Sequence, residues 1–283
     1  MDARFNINVF SQNQLNIVQK YLGFDSPIKR ICVDYDLFLS LSSELIIDIR
    51  TKVKLYVSLP VILRHTIENV YNKIARRLSD ISVDGLLVHN LDELAWSKDK
   101  FPDLDIITDS HIYIHNTEAL QFLFENNESN VSEFVLSNEL TKAEIRRLSE
   151  EANRHHKRVT LIGYGRIPMM ISDGCLKKTY NKCDARRELS INTFIEDRYN
   201  TRFAVLTDCN ICTNVIYNER PTSLLKYKDL LYRSEISTVS LNFTIEDSDE
   251  TDIIIKAFCY NDSRANESIN NMPTTTGHLK RGV

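Results

Sequence analysis

The chain is poor in glycine. It has 7 glycines in 283 residues, where average usage gives roughly 20. Loops that need positive φ must therefore use Asn, Asp or Ser. No phosphate-binding glycine-rich turn follows any strand-like run, which argues against a doubly wound dinucleotide fold. No apolar run approaches the roughly 18 residues needed to cross a bilayer. The first ten residues, MDARFNINVF, do not place a basic stretch before an apolar one, so they do not read as a signal peptide. The expectation is a soluble, cytoplasmic protein with no membrane partner. Also missing are the H-E-x-x-H zinc helix and the G-x-S-x-G nucleophile elbow. A net charge of −4 rules out a polyanion binder by bulk charge alone, so contact with nucleic acid would need a local basic patch.

What remains is a regular alternation of short β-rich runs with longer amphipathic segments. Seven runs come at 4–10, 30–36, 54–60, 84–90, 104–110, 133–139 and 158–165, and an eighth at 237–243. The runs are β-branched and nearly continuously apolar, as strands covered on both faces should be. Thr141 and Glu144 form a capping-box pattern ahead of one of the intervening helices. Eight strand-then-helix units predict an α/β fold, a closed parallel (β/α)8 TIM-like barrel spanning 1–283 as one domain. The seventh and eighth runs are separated by about seventy residues, too many for an ordinary loop. This cysteine-bearing insertion, 165–236, leaves the strand end at which such barrels do chemistry. The polar tail, 260–283, reads as extended chain.

Four of the six cysteines fall in the insertion: Cys175, Cys183, Cys209 and Cys212. In a reducing compartment, clustered cysteines suit a metal better than disulfides. Four soft ligands in one segment fit zinc or an iron–sulfur cluster, and their spacing does not choose between the two. Cys32 and Cys259 read as small buried hydrophobes. Basic residues are dense around the cysteines, among them Lys177, Lys178, Lys182, Arg186, Arg187, Arg198 and Arg202. They read either as a solvated surface or as a rim for RNA phosphates. Tyr180, Phe194, Tyr199 and Phe203 lie between them, as core anchors or as stacking partners for bases. Polar groups also recur at the predicted strand ends: Asp34 and Asp36, Arg64, His89 and Asn90, Asp109, Glu139 and Arg166. Each alone is ordinarily structural. Together they would line one mouth, with Arg166, Glu139 and Asp109 as candidate catalytic groups. Arg64, Asn90, Arg186, Arg187 and Arg198 are the candidate substrate-binding groups.

Specific stretches resemble peptidase family U32, in its C-terminal barrel region. Residues 165–175, GRIPMMISDGC, are similar to that family's G-R-x-P-[LM]-M-x-x-x-x-C. Glu196-Asp-Arg198 with Phe203 and Thr207-Asp-Cys209 resembles a second segment, and Cys212 through Ile216-Tyr-Asn218 a third. Leu241-Asn-Phe-Thr244 with Glu246 and the terminal 276–283 follow the family's order, as do Leu59-Pro60, Asp84–Val88 with Asn90, and Leu136–Leu140. The resemblance implies a barrel and a [4Fe–4S] cluster held by Cys175, Cys183, Cys209 and Cys212, with zinc as the alternative. It also implies a part in RNA (tRNA or rRNA) hydroxylation, alongside an electron donor or another family subunit. The alternatives are a collagenase-like peptidase and a non-catalytic scaffold. The chain departs from the family at Leu176, where a proline is usual, and lacks the further cysteine often found near Cys183, a place Cys209 would have to fill. The family's peptidase signature in the first half of the barrel is not visible. The chain is therefore expected to correspond to the second half of a longer architecture.

Overall fold

Strand residues alternate between two apolar environments, and this alternation builds the barrel. The computed structural model describes residues 4–62, 68–125, 131–180, 183, 187–233 and 235–280. The elements run β1 (Phe5–Val9), α1 (Gln12–Gln19), β2 (Ile28–Asp34), α2 (Tyr35–Ser40), α3 (Ser43–Lys52), β3 (Lys54–Ser58), α4 (Glu68–Asp80), β4 (Gly85–Val88), α5 (Leu91–Lys100) and β5 (Asp105–Thr108). They continue with α6 (Thr117–Glu125), β6 (Val131–Val135), α7 (Lys142–Arg154) and β7 (Arg158–Gly165). The insertion follows as β8 (Pro168–Ser172), α8 (Leu176–Thr179), β9 (Glu188–Glu196), β10 (Arg202–Asp208), β11 (Thr213–Tyr217), β12 (Thr222–Ser223) and α9 (Lys228–Leu231). The chain then returns to the barrel with β13 (Thr238–Asn242), followed by α10 (Ser248–Tyr260) and α11 (Ser263–Asn271).

Eight parallel strands close on themselves in the order β7-β13-β1-β2-β3-β4-β5-β6, and β6 pairs back to β7. This is the predicted (β/α)8 barrel. Alternate strand residues face the lumen, where Cys32, Tyr56, Leu87, Ile107, Val135 and Ile162 form one buried cluster. The residues between them, such as Ile31, Val33, Leu55, Leu86 and Ile106, join the larger core under the helices. Gly85 is a position where only glycine fits, because a Cβ would lie 2.3 Å from both the Asp105 carbonyl oxygen and the Tyr56 ring.

Helix starts follow local chemistry. Capping boxes open α1 (Ser11, Gln14), α7 (Thr141, Glu144) and α10 (Asp247, Glu250). Scarce glycine has the expected consequence only in part. Asn200 and Asn261 take positive φ, but so do Tyr113, His156 and Cys212.

The insertion, too long for an ordinary loop, has a sheet of its own: β8, β11, β10 and β9 form four antiparallel strands. One expectation changes. The segment read as an extended tail contains α11, capped by Asp262 and buried through Ala265 and Ile269. That i, i+4 pair is enough to seat a polar helix.

Candidate functional site at the barrel mouth

Register carries the inward-facing positions of β1–β5 and β13 up to one rim. Arg30, Cys32 and Asp34 point inward along β2, and Asp34 is level with Ser58 of β3. His89 and Asp109 immediately follow β4 and β5, and Asn8 and Asn242 are paired across β1 and β13. All of these except Arg30, which lies deeper in the lumen, line a cavity of about 150 Å³ together with Arg166 and Arg187.

Arg187 ties the insertion to this rim. Its guanidinium donates to both Asp34 carboxylate oxygens, at 2.6 and 2.9 Å, and through Nε to Asp208 Oδ2 at 2.7 Å. It stacks over the rings of Phe10 and Tyr35, at 4.5 and 4.7 Å from their centroids. The Tyr35 hydroxyl donates to the same Asp208 oxygen at 2.6 Å. Burial would lower the Arg187 pKa, yet Asp34 and Asp208 hold it well above its ordinary value. Burial raises Asp34, with Arg187 pulling the other way. The arrangement is a buried cation shared by two carboxylates, one from the barrel and one from the insertion sheet.

A second cluster faces it. His89 Nε2 lies 2.9 Å from Ser58 Oγ, and His89 Nδ1 lies 3.2 Å from Asp109 Oδ2. The Nδ1 contact is off the line a hydrogen bond needs, so this buried nitrogen has no hydrogen-bond partner. His111 Nδ1 meets the same Asp109 oxygen, and the two imidazoles stand edge to face, 5.7 Å between centroids. The short 3₁₀ turn Ser110–Ile112, capped by Asp109, brings His111 back over its own cap. Behind the cluster, fully buried Glu93 accepts from the His89 backbone N–H at 2.6 Å and from the Tyr71 hydroxyl at 2.5 Å. Burial pushes Glu93 up to about 7 against the pull of His89. Burial alone would lower His89, but the Asp109 carboxylate carries it upward. Burial would raise Asp109, but His111 and then His89 hold it well below the usual carboxylate range.

Asp109, Arg166 and Arg187, read from sequence as site residues, therefore line one cavity. Arg166 does not reach Asp109 or Glu139. It donates to the Asn218 carbonyl at 3.1 Å and to that of Glu219, and its Nε lies 3.8 Å from Glu246. Asn90 is not at the cavity. Its side chain caps α5 by accepting from Glu93 N–H at 2.8 Å, and an N-cap is oriented by its helix. Glu139 is half exposed outside the lining, 3.8 Å from His115 Nε2. Arg198 sits on the exposed β9–β10 turn, over the Tyr199 ring at 4.7 Å. Arg64 and Arg186 lie outside the described residues. His111 was missed by the sequence reading. The available signal was Asp109-Ser-His111, an aspartate cap with an imidazole two residues on, at a strand end.

None of the six cysteines is in a disulfide. Antiparallel register brings the relevant segments to one end of the insertion sheet. Ser172, at the end of β8, pairs with Asn214 at the start of β11, and Thr207, near the end of β10, pairs with Glu188 at the start of β9. Cys175, Cys183, Cys209 and Cys212 all extend from that end. Asn214 clamps the first of these loops, donating to the Gly174 carbonyl at 2.6 Å. Cys183 and Cys212 are exposed, and Cys175 and Cys209 half-buried. The donor number, the thiol chemistry and the shared sheet end fit a four-thiolate centre. Sulfurs on one zinc ion stand roughly 3.5–4 Å apart. Among the described residues, the set with three ligand atoms within 4.8 Å of one another is His89, Asp109 and His111. A closed zinc tetrahedron of cysteines is therefore not preformed.

Among the described residues, no helix is long and apolar enough to cross a membrane. Comparison with curated proteins gives no match. Among solved structures, an aldolase, QR15, is 14% identical with a TM-score of 0.38, over 56% of this chain and 78% of that one. The orotidine 5'-monophosphate decarboxylase of Methanocaldococcus jannaschii, complexed with the inhibitor BMP, is 20% identical with a TM-score of 0.35, over 58% and 79%. Likenesses at that level carry no argument. The sequence profile described as peptidase family U32 matches residues 43–188, just over half of the chain and from α3 into the start of β9. With the barrel and its inserted sheet in place, the chain belongs to peptidase family U32.

Proposed function

We propose that this chain is an iron–sulfur member of its family and takes part in the hydroxylation of RNA. The observation that carries this reading is the gathering of four cysteine-bearing segments at one end of the insertion sheet, beside the Asp208–Arg187–Asp34 link to the barrel mouth. Cys175, Cys183, Cys209 and Cys212 would hold the cluster, which would supply one-electron transfer; held by only three of them, it would leave one iron open to substrate. The chain's own residues do the rest. Arg187 fixes the sheet over the cavity, and Arg166 adds a second cation to its wall. The outer face of the insertion presents exposed aromatics beside arginines. Tyr199 lies under Arg198, Phe194 lies 4.4 Å under Arg202, and Tyr180 is 71% exposed. Aromatic and guanidinium faces of this kind stack unpaired bases without reading their sequence.

The test is anaerobic purification followed by iron and acid-labile sulfide analysis. A brown protein that loses its colour in the Cys183→Ser and Cys212→Ser variants is expected. Colourless protein holding only zinc would sink the cluster. The RNA half is tested separately, by mass analysis of nucleosides from cells lacking the chain, where one modified nucleoside should fall by the mass of one oxygen.

A second reading, peptide hydrolysis, is favoured by the contact from Ser58 Oγ to His89 Nε2 with Asp109 beyond, which has the connectivity of a nucleophile, base and orienting acid. A serine-directed phosphonate should then attach to Ser58 and to no other serine.

A further inference from the structure

From the convergence of His89, Asp109 and His111 we infer a second metal site, separate from the cysteines, that takes one first-row divalent cation of the zinc or iron(II) class at the barrel mouth. The inference does not rest on the cysteine centre. Three considerations lead to it.

The first is spacing. The ligand atoms of the three residues all lie within 4.8 Å of one another, and His89 Nδ1 and Asp109 Oδ2 are 3.2 Å apart. Two ligands about 2.1 Å from one ion, at roughly tetrahedral or octahedral angles, stand about 3.0–3.4 Å from each other. The protein thus already holds the pair at the separation an ion would impose.

The second is the unpartnered nitrogen. His89 is buried, and its Nδ1 faces the carboxylate without a hydrogen bond. Its other nitrogen, Nε2, sits 2.9 Å from Ser58 Oγ. If Nε2 carries the proton and donates to Ser58, Nδ1 presents a lone pair to a carboxylate oxygen. Two buried acceptors aimed at one point repel unless a proton or a metal cation lies between them, and this contact lacks the geometry of a proton-bridged hydrogen bond. A ligand histidine whose far nitrogen is tied by a hydrogen bond, which fixes the tautomer, is the usual outer support of a metal site. Glu93 adds to it by gripping the His89 backbone N–H from behind.

The third is what lies on the open side. Three protein ligands leave coordination positions free for water or a substrate oxygen. They open on the cavity that Arg166 and Arg187 also line. The two guanidiniums suit an anionic substrate, whose oxygen the ion would polarise. Two nitrogens and one carboxylate oxygen suit zinc or iron(II) better than the oxygen-only shells preferred by calcium or magnesium.

The metal reading and the serine reading of His89 are mutually exclusive, because they need opposite tautomers. A serine nucleophile needs Nε2 free as a base and Nδ1–H donating to Asp109. A metal needs Nδ1 free. The experiment uses the full chain carrying Cys183→Ser and Cys212→Ser, so that thiolates do not capture the probe. The protein is stripped with chelator, titrated with cobalt(II) and zinc(II), and dialysed. The expected result is one retained ion per chain, cobalt(II) visible bands without intense thiolate charge transfer, and a zinc-dependent rise in Tm. His111→Ala should lose all three. Ser58→Ala should keep the ion at roughly 10–100-fold weaker affinity, as expected for an outer-shell partner. Should His111→Ala fail to fold, nitrogen-15 NMR of the stripped parent with and without zinc gives the same information, because His89 Nδ1 should shift on metal addition. The inference is overturned if zinc leaves Tm and the His89 resonances unchanged, or if His89 carries its proton on Nδ1.

Discussion

At the N-terminal end of the lumen, Glu133 is surrounded by donors. Arg30 binds it through two nitrogens, at 2.6 and 3.1 Å, and Arg158 Nε lies 3.3 Å away. Asn6, Thr160 and Thr238 complete the shell. At the C-terminal end, His89, Asp109 and His111 converge just as tightly, but a buried nitrogen has no hydrogen-bond partner and the group borders a cavity. Both ends bury charge inside the same barrel. One end is closed and satisfied, as a network that specifies the packing of a barrel must be. The other is open, and one of its buried nitrogens is left without a hydrogen bond. In parallel barrels the N-terminal face serves stability and the C-terminal face chemistry, and here the distinction is visible in hydrogen-bond accounting alone.

The largest effect is expected at the closed end. Glu133→Ala should leave Arg30 buried without its counter-charge and cost about 3–5 kcal/mol, read as a lowered midpoint in urea. A loss under about 1 kcal/mol would mean the network is ornamental. Next is Arg187→Met, which strands Asp34 and Asp208 and should cost about 3 kcal/mol. Unlike the first change, it should also loosen the insertion, so limited proteolysis should cut between β8 and β11 before the barrel is attacked.

A third expectation concerns pH. Burial raises folded Glu93 to about 7 from an ordinary 4.5. A carboxyl with a raised folded pKa contributes its stability fully below about 4.5 and loses it as pH rises through about 7. The stability difference between wild type and Glu93→Gln should therefore shrink by on the order of 2–3 kcal/mol across that window. Denaturant midpoints at half-unit steps would show it, and a flat difference would mean Glu93 titrates normally. The smallest effect is expected at His111. Its side chain is 21% exposed and it is one of two imidazoles on Asp109, so His111→Ala in chelator should cost about 1 kcal/mol. A larger loss by thermal unfolding would make the open end a structural network like the closed one.

The barrel was legible because its information is local. Runs such as 30–36 and 158–165 announce buried strands by composition, and Thr141 with Glu144 announces a helix start. Asp109 and Arg166 reach the cavity wall, as their places after strands suggested. The rest was hidden because it is non-local. Nothing near Arg187 says that its partner is Asp34, 153 positions earlier, and Asn90 looked like a site residue until its helix claimed it. The insertion sheet was overshadowed by its cysteines and charges, although 188–196 alternates as a strand should. Helix α11 escaped because two apolar residues, Ala265 and Ile269, carry its attachment.

The position of β13 bears on how the molecule is made. This strand lies between β7 and β1 and pairs Val239 with Phe5 on one side and Leu161 on the other. A ribosome delivers it last among the barrel strands. Until then β1 and the flank of β7 that will receive it are bare edges, competent to pair with another nascent chain. Closing the ring requires joining segments more than 230 residues apart, which makes the final step entropically slow. The insertion lies upstream of that step, so its cysteines emerge while the cylinder that will support them is still open.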